Sequence, residues 1–159
     1  MPPLSGRAIE VRYSRALTDT AGNPAHAATF IRRRLIVLDR ALLRNRPEHS
    51  RILTHELFHF VWVRLGNPAR REWEALLRAE FAHRARGEAG WSAEWRKRAL
   101  HAADVTTRTR LWREYACESF CDSAASLYSG TSTEVTLGRA RLLRRHAWLA
   151  KQFQISLPI

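Results

Sequence analysis

Two histidines four residues apart, His55 and His59, flank Glu56 in a stretch whose apolar residues recur with a helical period: Leu53, Leu57, Phe58, Val61, Trp62 and Leu65. Such a helix buries its apolar face, and imidazoles and a carboxylate buried with it cost free energy unless something pairs them. Residues at i and i+4 lie on one helical face, one turn apart, so both imidazoles can bind a single zinc ion at ~2.0–2.1 Å. Glu56 is offset by one residue, which sets its carboxylate beside the metal and not on it. There it can take a proton from the metal's water and later pass it to a leaving amine. With seven histidines and eleven glutamates in 159 residues, chance placement yields this spacing in about 2% of such chains. The bland alternative is a satisfied core histidine pair, hydrogen-bonded to Glu118.

The length of 159 residues suits one domain with a real core, and 1–159 reads as a single unit. Residues 1–45 are mainly β. Ala8–Tyr13 alternates like a half-buried strand, Thr20–Pro24 is turn chemistry, and Thr29–Asp39 centres on Leu35-Ile36-Val37-Leu38. These predict two or three antiparallel strands in a small sheet. Residues 46–153 are mainly helical. Pro47-Glu48 opens a helix that Gly66 stops, and further helices are expected at about 69–86, 92–103 (capped by Ser92), 107–129 and 137–153. Residues 154–159 form an apolar, extended tail. The fold class is therefore α+β.

A catalytic zinc needs a third protein ligand and an open position. Position 65, where a third histidine would extend the motif, is Leu65. The acids of the 107–129 helix come next. Glu114, Glu118 and Asp122 form one column at i, i+4, i+8, and Glu118 centres a face with Leu111 and Ala125, suited to close approach by another helix. Glu114 lies among Arg108, Arg110 and Arg113 and reads as a salt-bridged surface acid. Glu118 is the preferred third ligand, with Glu114 as the alternative.

His55-Glu56-x-x-His59 followed by Glu118-x-x-Cys121-Asp122-x-x-Ala125 resembles the gluzincin group of zinc metallopeptidases, nearest to the minigluzincins, the ImmA/IrrE-type peptidases and the soluble core of the CAAX prenyl proteases. The resemblance implies a zincin-like fold, with His55, His59 and Glu118 as zinc ligands, Glu56 as general base and Asp122 as orienter of a ligand histidine. That last role also follows independently, because a metal-bound histidine usually donates its other N–H to a carboxylate or carbonyl. The resemblance further implies a strand edging the cleft and pairing with extended substrate, a place the Leu35–Leu38 strand could take. It covers roughly 15 residues. Cys121 stands where those families often carry alanine, and Glu118 lies 59 positions after His59.

The net charge is +12, with only Lys97 and Lys151 as lysines. The arginines are scattered, which favours a solvated surface, yet they keep open a second class: a basic nucleic-acid-binding or regulatory module with a structural or vestigial zinc site. No apolar run approaches the ~20 residues of a membrane helix. The N-terminus has no apolar leader, so a cytoplasmic location is expected. Cys117 and Cys121, without any Cys-x-x-Cys, read as reduced thiols and small core residues beside the site. Tyr128, Tyr115, His101, His83 and His146 are candidates to stabilise an oxyanion, though no spacing selects one. The tryptophans read as packing. The tail could lie in the cleft and keep the enzyme latent, or pack against the sheet. The expected function is a zinc-dependent metallopeptidase with one zinc per chain acting on extended peptide.

Overall fold

The computed structural model describes residues 1–18, 22–131 and 135–159. It is α+β and mostly helical, with six helices and two small sheets among the described residues. Of the expected turn at 20–24, Thr20 and Ala21 lie outside the described residues. Gly22 has φ 84°, a left-handed value that glycine adopts without strain, and Thr18 bridges Pro24.

The main sheet has the order β2 (Glu10–Ser14), β4 (Leu35–Asp39), β3 (Ala27–Phe30). It is mixed and not antiparallel as expected. β3 pairs antiparallel with β4, but β2 pairs parallel with it, Val11 opposite Ile36. β2 is also almost wholly exposed, with Val11 and Tyr13 facing solvent, so alternation there marks an edge strand and not a half-buried one. β4, with Leu35, Ile36 and Leu38 buried, is the central strand. The expectation that Leu35–Leu38 edges the cleft is therefore corrected, because both of its main-chain sides are taken. The edge role falls to β3. Asp39 N–H donates to His26 C=O, and the antiparallel alternation from there turns the main-chain groups of Ala27 and Thr29 to the open edge.

Helix α1 (Arg46–Arg64) starts as its sequence requires: Asn45 Oδ1 accepts from Glu48 N–H, proline sits in the first turn, and Glu48 complements the helix dipole. α2 (Asn67–Ala82) is shorter than expected. α3 (Trp91–Arg98) ends before the expected 103, and α4 (Ala102–Thr107) occupies the break expected between 103 and 107. The division between α4 and α5 (Arg110–Tyr128) is made by Arg108 at φ 53°, after which Thr109 caps α5. α6 spans Arg139–Gln152.

α5 runs through the centre, packed along α1, α3 and α6. Phe120 on α5 gathers the rings of Phe58, Trp62, Trp73, Trp148 and Phe153 at centroid distances of 5.2–6.3 Å, the middle of one apolar cluster. The tail does not lie in a cleft. Its β5 (Leu157–Pro158) pairs parallel with β1 (Leu4–Ser5), and Leu157 and Ile159 are buried in the core. Among the described residues no helix is long and apolar enough to cross a membrane.

Candidate metal centre

Packing of α5 against α1 brings the two sequence motifs together. His55 Nε2 lies 3.2 Å from Glu118 Oε2, and His55 Nδ1 donates to Asp122 Oδ1 at 2.8 Å. Both carboxylates sit where the helical column expected from sequence would present them. Asp122 is almost fully buried, and its Oδ2 accepts the Ala93 N–H at 2.9 Å, so one carboxylate aims His55 and caps α3. A Cβ on Gly90 would stand 2.5 Å from Asp122 Cγ, which explains why glycine precedes α3.

His59 is held differently. Its ring sits edge-on to His55, centroids 5.0 Å apart, and its Nδ1 lies 3.5 Å from Cys117 Sγ and 3.6 Å from Cys121 Sγ. The cysteines are thus more than core filler: both are free, and both reach a motif histidine. Glu56 lies at the cleft surface, where Thr29 Oγ1 of β3 donates to its Oε2 at 2.6 Å. Glu114 does not approach the cluster. Its side chain is 41% exposed and pairs with Arg110, which removes it as an alternative ligand.

Charge and burial act together on these groups. Burial disfavours the His55 imidazolium, but the Asp122 charge and hydrogen bond, with Glu118 and Glu56, outweigh it and raise its pKa well above the ordinary value. Burial would raise the Glu118 carboxyl, yet the His55 hydrogen bond and the charges of His59, His55 and Arg96 bring it down to about 2. Cys117 is lowered to about 6, chiefly by its hydrogen bond with Cys121 and, against burial, by His59. Cys121 is pushed well above the usual thiol value by burial and by Cys117. The centre is a nest of opposed charges that a cation can enter by displacing protons.

The donor set fits zinc. Two ligands at ~2.0–2.1 Å on one tetrahedral ion stand about 3.3 Å apart, close to the His55–Glu118 separation, and an imidazole–thiolate pair about 3.6 Å apart. His55, His59 and Cys121 each offer an atom within 4.8 Å of the other two, while Glu118 reaches His55 and lies outside that group. From sequence, Cys117 and Cys121 read as small core residues beside the site and not as metal ligands; the fold brings both sulfurs to His59.

The centre opens into a cleft of about 890 Å³. β3 forms one rim (Ala27–Thr29). α1 and α5 form the floor (His55, Glu56, His59, Glu118), and α3 forms the far wall (Trp91, Trp95, Arg96). Trp91 and Trp95, 67% and 43% exposed, are the tryptophans that do not serve the core. The five side chains that the sequence offered as oxyanion donors lie elsewhere. Tyr115 donates to Glu88, Tyr128 stacks on Phe58, His146 meets Ser126, and His83 and His101 sit at exposed helix ends. No family model, curated protein or solved structure matches this chain.

Proposed function

We propose that the chain is a cytoplasmic zinc-dependent metallopeptidase with a zincin-like, minimal gluzincin-type centre. The observation that carries this reading is the geometry of His55: one ring nitrogen bonded to Asp122, the other 3.2 Å from Glu118. His59 repeats the arrangement with sulfur in place of carboxylate, its Nδ1 turned to Cys117 and Cys121. With Nδ1 of His55 taken by Asp122, its Nε2 serves as a ligand beside His59, with Glu118 as the third protein ligand and Cys121, whose sulfur is in reach of both histidines, as the alternative.

When bound, zinc supplies Lewis acidity that polarises the scissile carbonyl and brings its water toward a pKa of ~7. The chain's own residues do the rest. Thr29 holds Glu56 so that its free carboxylate oxygen is placed to accept the water's proton and return it to the departing amine. The open edge of β3 offers Ala27 and Thr29 main-chain groups to an extended peptide laid across the floor of the cleft.

Metal analysis beside a peptide-library cleavage assay tests this. The wild-type chain should carry about one zinc and cleave peptides. Glu56→Gln should keep the metal and lose at least ~100-fold in kcat. His59→Ala and Glu118→Ala should lose metal. A fully active Glu56→Gln chain would refute the mechanism.

A further inference from the structure

Arg96 is the one cationic side chain that α3 contributes to the cleft wall, and its hydrogen-bonding capacity is largely unused. Nη1 donates to Ser92 C=O at 2.8 Å, and Nη2 stands 3.5 Å from Glu118 Oε1, long for a charged hydrogen bond. Nε is the one buried side-chain nitrogen or oxygen among the described residues that has no hydrogen-bond partner. A guanidinium presents five N–H groups in a fixed fork, and a buried donor left unpaired is costly and calls for a reason.

The guanidinium is held in place by its neighbours. Its carbon sits 4.3 Å from the centre of the Trp95 ring, and the side chain is only 19% exposed. The helix carrying it is anchored on both sides: Ala93 N–H donates to Asp122, and Lys97 meets Glu88 at 2.9 Å. Arg96 is therefore a preorganised positive charge lining the cleft with His55, Glu56 and Glu118; its Nε is buried out of reach of a ligand, and the donor it can offer is Nη2, whose one approach is the long one to Glu118.

We propose that Arg96 is a catalytic residue of this centre, donating to the scissile carbonyl oxygen as negative charge builds there during attack by water. The assignment rests on the metallopeptidase reading above. No proton is transferred and no bond is made to Arg96. Its N–H groups strengthen their hold as the carbonyl oxygen becomes an oxyanion and relax when the carbonyl re-forms with loss of the amine. Stabilisation of this kind acts on the transition state more than on bound substrate, so it appears in kcat.

The test compares wild type, Arg96→Lys, Arg96→Ala and Glu56→Gln, each with zinc content measured. Arg96→Ala should retain about one zinc, lose about 100-fold in kcat with KM little changed, and regain part of the loss on addition of guanidinium ion. Arg96→Lys keeps the charge and loses the fork, and should fall between. A second readout needs no turnover. By calorimetry, a phosphinic peptide, which carries the oxyanion's charge, should bind Arg96→Ala more weakly by the same factor, while the Glu56→Gln chain's substrate affinity is unaffected by adding Arg96→Ala. Full activity in both Arg96 variants, or a change in KM alone, overturns the assignment while leaving the metallopeptidase reading standing. A wild-type chain that neither binds zinc nor cleaves peptide overturns both.

Discussion

His55 concentrates the chemistry of the centre in one ring. Against burial, Asp122 and Glu118 raise its pKa well above the ordinary imidazole value, which favours the protonated ring between the two carboxylates. Metal must displace that proton. A raised pKa means the protonated form dominates below it and fades as pH rises through it, so zinc affinity should climb as pH rises. Titration calorimetry in buffers of differing ionisation enthalpy should register net proton release on zinc binding, and Asp122→Asn should lower both that release and the affinity, the latter by ~10–100-fold. Zinc binding without proton release would contradict this. The sequence disclosed much at this scale. That His55, Glu56 and His59 line one cleft with Glu118 was legible because helical period and motif spacing coincide, and that Asp122 reaches His55 because Glu118 and Asp122 share one column with small neighbours. Arg96 was not legible: in Trp95-Arg96-Lys97-Arg98 it resembles any basic helix end, and only tertiary packing separates it from Arg98, which pairs with Glu94 on the surface.

The helix α5 carries two polar systems on different sides. One is the candidate centre. The other surrounds Arg145 of α6, which is fully buried and bonded to Glu80, Glu88, Ser119 and Ser123, with Tyr115 and Lys97 completing the shell around Glu88. Against burial, the Arg145 charge and hydrogen bond, with Lys97 and Tyr115, take Glu88 down to about 2. Arg145→Met leaves buried Glu80 without its cation and Glu88 with Lys97 alone, and should cost about 3–5 kcal/mol in urea unfolding, partly recovered by adding Glu80→Gln and Glu88→Gln. Arg110→Ala, at an exposed pair, should change stability by under ~1 kcal/mol. Equal effects would remove the distinction. Arg145 could have been suspected from sequence, since it stands in the apolar column Leu142, Arg145, Leu149, Phe153. Helix limits were harder to read because Arg84 and Arg108 adopt left-handed backbone without being glycine, which no propensity argument anticipates.

Across the whole molecule, the least legible features were those set by pairings distant in sequence. Strand order placed the apolar Leu35–Leu38 segment in the centre of the sheet and left β3 to rim the cleft, and no local pattern distinguishes the two outcomes. The tail likewise found its partner at the opposite end of the chain. Because Leu157 and Ile159 are buried there, deleting residues 154–159 should destabilise the fold by several kcal/mol, at ~1.5–3 per side chain, and lower Tm without raising peptidase activity. Higher activity with an unchanged Tm would restore the latency idea.

The two oxygens of Asp122 have separate duties, one steadying an imidazole and the other the opening turn of α3, whose outer face displays Trp91 and Trp95. Anything that leans on those indoles tugs, through a single rigid carboxylate, on the ring it orients. On the metallopeptidase reading proposed above, occupancy of the cleft and grip on the ion are then linked quantities, and each alters the other by the same factor.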